Sequence, residues 1–511
     1  MPEQFLLKWK LVIKPQWKTA FLSAAIIGFL CHMFVFTNIL PNHDSLVNMH
    51  SPQLKGNLGR FFLSPFSGIS SYFDLPWING TLSILYLALT AVILTELFQL
   101  KKTFSIVAIS GLIITFPTIA STFSYMFTAD GYMLGSLLTV LALLITKTYE
   151  YGFVPGSIIF YLGVGVYQAN LPFLSTLIII FLVTEIVGRK INFQQLKSYM
   201  LRFLGLGAIG MALYAINFKL YTSFFAGNIS SYQGLDSVGD SSGSIFTRFE
   251  QVYDSFTLFF FRGFITDSPI NLFEWLNVAI FLLIAIGFIL LTIQNRIFTN
   301  IPMTLIAMVL LLLMPLSAYI LYFVSSDVVY HMLMVMALVS FYMLPVLFYE
   351  HLTKPNFAAK AFSWASVVIV FIVAFNFSII SNISYLNMEL KYEKSTAFVN
   401  RLISRVEQTE GVTSESKLAL IGRIQLGSSL STRVIPENVP RMTGPLGDSI
   451  IPLPYHYSAM MKDHFGVNYQ FISEPERQEI AASEWFADME AWPSKDSVRV
   501  IDDVVVVKLQ K

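Results

Sequence analysis

The chain has 511 residues, of which 55% are hydrophobic and 15% aromatic, while 13% carry charge and the net charge is +1. A soluble domain carries about 25% charged residues, so this balance excludes an ordinary soluble enzyme, a disordered chain and a coiled coil. It also leaves no basic surface for nucleic acid, and the single cysteine, Cys31, excludes an intrachain disulfide or a cysteine metal site.

A hydrocarbon core of roughly 30 Å takes about 20 apolar residues of helix. On that measure eleven spans are predicted, at 19–40, 81–98, 103–124, 131–147, 153–168, 170–187, 201–221, 273–294, 300–323, 328–349 and 361–384. The first has no charged residue from Thr19 to Leu40 and exceeds a signal-peptide core, so it reads as a span. Alternating loops carry 14 Lys and Arg on one side, from Lys8 to Lys360, against Lys55, Arg60, Arg248 and Arg262 on the other. The positive-inside rule then predicts a cytoplasmic amino terminus and, after eleven spans, an outer carboxyl terminus. Most loop acids fall on the outer side.

Candidate chemistry follows the same order along the chain. Asp44, in Asn42-His43-Asp44-Ser45, follows the outer end of the first span, where a carboxylate opposes the helix dipole. It therefore reads as functional, or as the cap of a short loop helix starting at Ser45. Arg60, in Gly59-Arg60-Phe61-Phe62, and Arg262, after Phe259-Phe260-Phe261, sit in aromatic segments that read as interfacial helices. An arginine at headgroup depth suits a lipid phosphate, or else it snorkels or pairs with a neighbouring acid. Asp130, in Thr128-Ala129-Asp130-Gly131-Tyr132, and Asp327 precede inward spans and read equally as helix caps. Tyr167-Gln168-Ala169-Asn170 puts a phenol and two amides in a tight outer turn, where they bind sugar hydroxyls or satisfy turn backbone. The loop 222–272 opens with Gly, Ser and Asn. His32 and His331 lie in spans, where histidines are usually packed.

After residue 388 the composition changes: 389–511 holds 14 of the 33 basic and 17 of the 32 acidic residues. Helical and alternating segments there predict an α/β domain outside the membrane, following a membrane body at 1–388 with outer loops 41–80 and 222–272. No nucleotide, HExxH or nucleophile-elbow motif occurs.

The many-span body, the acid after the first span and the terminal α/β domain resemble the glycosyltransferase C (GT-C) superfamily. Asn42-His43-Asp44-Ser45, Gly59-Arg60-Phe61, Thr128-Ala129-Asp130-Gly131-Tyr132 and Tyr167-Gln168-Ala169-Asn170 resemble the type-II Gtr glucosyltransferases, and Asp503 to Leu509 fits their closing strand. The resemblance implies a bacterial inner-membrane enzyme with an outward-facing site. It would take glucose from undecaprenyl-phosphate glucose and add it to O-antigen or another outer-face glycan. Asp44 and Asp130 would be the catalytic acids, and Arg60, Arg262, Tyr167, Gln168, Asn170 and His331 the donor-binding residues. Related chains often carry two adjacent acids where this one has Asp44 alone, so a divalent metal such as Mg is not supported. The alternative from another class is a transporter or flippase of a lipid-linked sugar. It would need charged groups through mid-membrane and inverted repeats, and the spans offer little of either.

Overall fold

The computed structural model describes residues 12–225, 244–261, 273–325, 327–353, 356–424, 426, 442, 444–445 and 449–510. In chain order its helices are α1 (Pro15–Thr37), α2 (His43–Val47), α3 (Leu63–Ser67), α4 (Pro76–Leu97), α5 (Thr103–Thr115), α6 (Pro117–Phe123), α7 (Met126–Thr148), α8 (Phe153–Val166) and α9 (Asn170–Val187). They continue with α10 (Phe193–Phe224), α11 (Ile245–Phe261), α12 (Phe273–Gln294), α13 (Ile301–Ala318), α14 (Val339–His351) and α15 (Phe357–Glu407). Eight helices among the described residues are long and apolar enough to cross a membrane, or nine if α5 and α6 form one bent span. Residues 153–166 and 336–351 form shorter apolar helices. The chain is a polytopic helical membrane protein.

Three predicted elements differ. The span at 103–124 breaks at Phe116, because Pro117 has no N–H to donate and holds Phe116 at ψ 137°. The span at 328–349 begins late: residues 320–323, 332–334 and 336–338 are single 3-10 turns, and regular helix starts only at Val339. Irregular backbone inside a membrane protein persists only where its polar groups find partners. Here Thr118 Oγ1 donates to Met332 O at 2.7 Å, and Leu321 N donates to the Tyr330 hydroxyl at 3.2 Å. Within the loop 222–272, Ile245–Phe261 folds as α11, with Val252, Phe259 and Phe260 buried.

The basic residues gather at one end of the bundle. Lys14 pairs with Glu96 at 2.8 Å, Lys147 Nζ donates to Leu97 O at 2.7 Å, and Arg202 donates to Tyr149 O at 3.1 Å. Lys102 donates to Tyr349 O, while Glu350 accepts from Lys101 N at 2.9 Å. These cations meet carbonyls at helix carboxyl ends, where the dipole favours positive charge. Asp44, Arg60 and Asp130 lie at the opposite end.

At that end α15 runs on without a break through residue 388, a 51-residue helix. Its last turns join a four-stranded sheet of order β2-β1-β4-β3, made of β1 (Lys417–Ile421), β2 (Gln470–Phe471), β3 (Val498–Ile501) and β4 (Val504–Lys508). β1 is parallel to β2 and β4, and β3–β4 is an antiparallel hairpin turned at Asp502-Asp503, both at positive φ as a tight primed turn requires. Strand alternation splits the core. Leu418, Leu420, Val505 and Val507 pack with Phe398 and Leu402 of α15 and Met460 of α16 (Pro454–Phe465). Ala419 and Val506 pack with Phe486 of α18 (Glu484–Ala487) and Ile480 of α17 (Glu474–Ala481).

Candidate functional site

Asn42 opens the first loop. Its side chain accepts from Ser45 N at 2.8 Å, capping α2, and donates to Ser124 O at 2.6 Å, tying α2 to the end of α6. Asp44 is therefore not the cap; it sits in the first turn, 48% exposed, with His43 Nε2 at 3.7 Å. Leu46, on the same helix, is buried in the core of the carboxyl-terminal unit. The short helix carrying Asp44 is thus pinned on two sides, which holds an exposed carboxylate in a fixed place.

His456 of α16 faces this helix, its ring 6.0 Å from that of His43. It is 1% exposed, and neither ring nitrogen has a hydrogen-bond partner among the described residues. Burial and the neighbouring His43 push its imidazole down to about 4, against weaker opposing pulls from the Leu453 carbonyl and then Asp44. Nothing in the sequence around His456 singles it out; only folding brings it beside Asp44.

Asp130 is buried within the first turns of α7, which starts at Met126, so the cap reading fails. Its Oδ1 accepts from Asn79 Nδ2 at 3.2 Å, and Asn79 also donates to Ser70 Oγ at 3.0 Å. The Oδ2 atom is buried with no partner among the described residues, an arrangement that typically costs about 1–3 kcal/mol. Asp74, just ahead of α4, is a second acid of interest: burial pushes its carboxyl up to about 7. Asp327 lies in a turn ahead of irregular backbone, not at a helix start.

Arg60 occupies a built cradle. Its guanidinium donates to the Tyr132 hydroxyl at 3.0 Å and lies 4.9 Å above the Tyr167 ring, which stacks on Tyr132 at 4.7 Å. The backbone before it is held from outside: Gln168 Nε2 donates to Leu58 O at 2.7 Å, and the Tyr214 hydroxyl donates to Gly59 O at 3.2 Å. Gly59 has φ +69°, and a Cβ there would stand 2.2 Å from the Tyr214 oxygen, so only glycine fits. Arg60 thus follows a left-handed turn between short helical pieces and is not on one interfacial helix.

Arg60, Tyr167, Gln168 and His331 line one cavity of about 220 Å³, whose walls are otherwise mostly apolar, including Leu171, Met211 and Phe218. Leu321, Val324, Ser325, Val328 and Met334 complete its lining. His331 is thereby extended backbone at a cavity edge and not a residue inside a helix. Asn170 is buried elsewhere: it donates to Gly163 O at 2.9 Å and accepts from Ser136, which makes it a pin between α8, α9 and α7. His32 is a packed core histidine, bonded to Tyr385 and Ile114 O. Arg262 lies outside the described residues.

Tyr132 and Tyr214 were not singled out from the sequence, although Tyr132 stands in the motif around Asp130. A model of the family described as glucosyl transferase GtrII matches residues 33–371, which takes in Asp44, Arg60, Asp74, Asp130, Tyr167, Gln168 and His331 but neither His32 nor His456. No curated protein and no solved structure matches the chain.

Proposed function

The chain belongs to the GtrII glucosyl transferase family, and on that footing we propose that it moves glucose from a polyprenyl-phosphate donor to a glycan at the outer membrane face. Family membership makes it a glycosyltransferase; the donor, acceptor and mechanism are our reading. The observation that carries it is the Arg60 cradle at one side of an apolar cavity. At about 220 Å³ this space is below the roughly 300 Å³ of a complete small-ligand site, so it takes part of a lipid-linked donor. Arg60 would hold the phosphate and stabilise the charge it gains as the sugar–oxygen bond breaks. Gln168 and His331, at the same cavity, would bear on the sugar or the phosphate.

Asp44 would take the proton from the acceptor hydroxyl as that oxygen attacks the anomeric carbon, with the polyprenyl phosphate leaving from the opposite side. A single displacement of this kind inverts the anomeric configuration. Retention through a covalent intermediate would need a second carboxylate as nucleophile. Asp130, with one oxygen unpaired among the described residues, would orient a hydroxyl of the sugar or acceptor after a small opening of its surroundings.

In this reading the chain crosses the bacterial inner membrane eleven times with a GT-C-like body, its basic end in the cytoplasm. The donor is undecaprenyl-phosphate glucose and the acceptor O-antigen or a related surface polysaccharide. The clustering of Lys14, Lys102, Lys147 and Arg202 at one end supports that orientation. The test is purified protein in lipid nanodiscs with undecaprenyl-phosphate glucose and acceptor glycan. Release of undecaprenyl phosphate matched by glucose on the glycan is the expected result. Movement of intact donor across a bilayer without its consumption would make the protein a flippase.

A further inference from the structure

The carboxyl-terminal unit has a cavity of its own, about 630 Å³, remote in sequence from the groups around Arg60. It opens where β1 ends: Gly422, at φ +93°, turns the chain, and a Cβ there would meet Gln510 O at 2.6 Å. From β1 the chain reaches β2 through α16, on the sheet face of Leu418 and Leu420. From β2 it crosses through α17 and α18, on the face of Ala419 and Val506, to β3 at the far edge and then turns into β4. The crevice thus lies outside the carboxyl end of β1, between α16 on one sheet face and α17 on the other, and open α/β sheets bind their ligands outside the carboxyl ends of their strands.

The lining fits a sugar better than a lipid. One face of α17 presents Glu474, Arg477 and Gln478 at helical spacing. Glu474 pairs with Arg477 and accepts from Gln478 Nε2 at 3.2 Å, which fixes three polar heads beside one another. Arg423 enters from the end of β1; it is exposed, and its guanidinium has no hydrogen bond or ion pair among the described residues. With the Glu474 charge spent on Arg477, Arg423 is the one uncompensated charge among the described residues that line the crevice. Ile421, Ile424 and Leu453 supply an apolar floor of the kind that a pyranose ring covers.

We propose that this crevice binds a short segment of acidic saccharide, its carboxylate on Arg423 and its hydroxyls on Gln478 and the Glu474–Arg477 pair. Resting on the glycosyltransferase reading above, it is a second, non-catalytic subsite that retains the acceptor glycan while the Asp44 region acts on it.

The full chain in nanodiscs, with no lipid donor present, is titrated calorimetrically with trigalacturonate, maltotriose and inorganic phosphate. Trigalacturonate is expected to bind more tightly than maltotriose, and phosphate only weakly. Arg423→Ala should weaken trigalacturonate by about tenfold or more, the usual loss for one charge-assisted hydrogen bond, and Gln478→Ala by less. Neither change should alter binding of the lipid donor. Equal binding of phosphate would make the crevice a bare anion site and overturn the saccharide assignment, as would unchanged trigalacturonate affinity in both variants. Because no transfer is measured, an inactive enzyme that still binds trigalacturonate through Arg423 would overturn the transfer reading alone.

Discussion

Three acids compete for the role of base, and their surroundings differ in kind. Asp44 is half exposed on a short helix pinned by Asn42 and Leu46; Asp130 is sealed in against Asn79; Asp74 is held by burial near neutrality. A group that meets successive acceptor hydroxyls has to be reachable, which favours Asp44. Asp44→Asn should therefore lose about 10²- to 10⁴-fold in transfer rate at unchanged donor affinity and melting temperature. Turnover within a few-fold of the parent would pass the role to Asp130 or Asp74. The Arg60 cradle gives a second test. Arg60→Ala should weaken donor binding, and Arg60→Lys should restore only part of it, since an ammonium lacks the planar fork. Gly59→Ala should mimic Arg60→Ala without touching the guanidinium, because the added methyl collides with Tyr214 and disfavours φ +69°. Donor affinity at the parental value in Gly59→Ala would mean that the turn does not aim Arg60. Asp44 stood out in the sequence because it sits at the wrong end of a span for a cap. Asp130 was ambiguous because α7 starts at Met126 with no side-chain cap to mark the boundary.

At the scale of elements, the docking of α2 on α16 joins the membrane bundle to the α/β unit, and His456 makes that contact pH-dependent. Its imidazole is lowered to about 4 in the folded chain from about 6.5 when unfolded, so between these values the unfolded state binds more protons. The contact is then at full strength above about pH 6.5 and weakens as pH falls toward 4. Asp74, raised to about 7, acts in the opposite sense, since its folded form holds the proton more firmly. Comparing the melting temperature of the parent and His456→Asn across pH 4–7 isolates the histidine. The parent should lose more stability on acidification, and parallel curves would remove His456 from the balance. The long helix α15 argues for the same coupling. A chain ended near Asn387 removes the partners of Leu46 along with the sheet, so it should bind lipid donor yet fail to glucosylate glycan. Full transfer by a stably inserted truncation would show that α2 needs no such support.

For the whole molecule, the proposed orientation rests on the charge pattern of the loops. The basic groups at one end also bind helix carboxyl ends, so the same residues serve topology and local structure. A reporter fused after Lys511 is expected outside the cytoplasm and one inserted within 188–202 inside it. Finding both on one side would exclude eleven crossings. The GtrII match ends at residue 371, so the α/β unit and its crevice lie beyond the matched residues.

The membrane class and the motifs around Asp44, Arg60, Asp130 and Tyr167 were legible in the sequence, because apolar length and local spacing are one-dimensional signals. The break at Pro117 was not read from the sequence, in which 103–124 is a single predicted span. The tertiary structure alone decided that Asn170 is a structural pin and that His331 lines the same cavity as Arg60. It alone brought His456 to Asp44, and it alone turned 328–338 from helix into irregular backbone. Each of these depends on hydrogen-bond partners and packing surfaces drawn from segments tens to hundreds of residues apart, which no local pattern along the chain encodes.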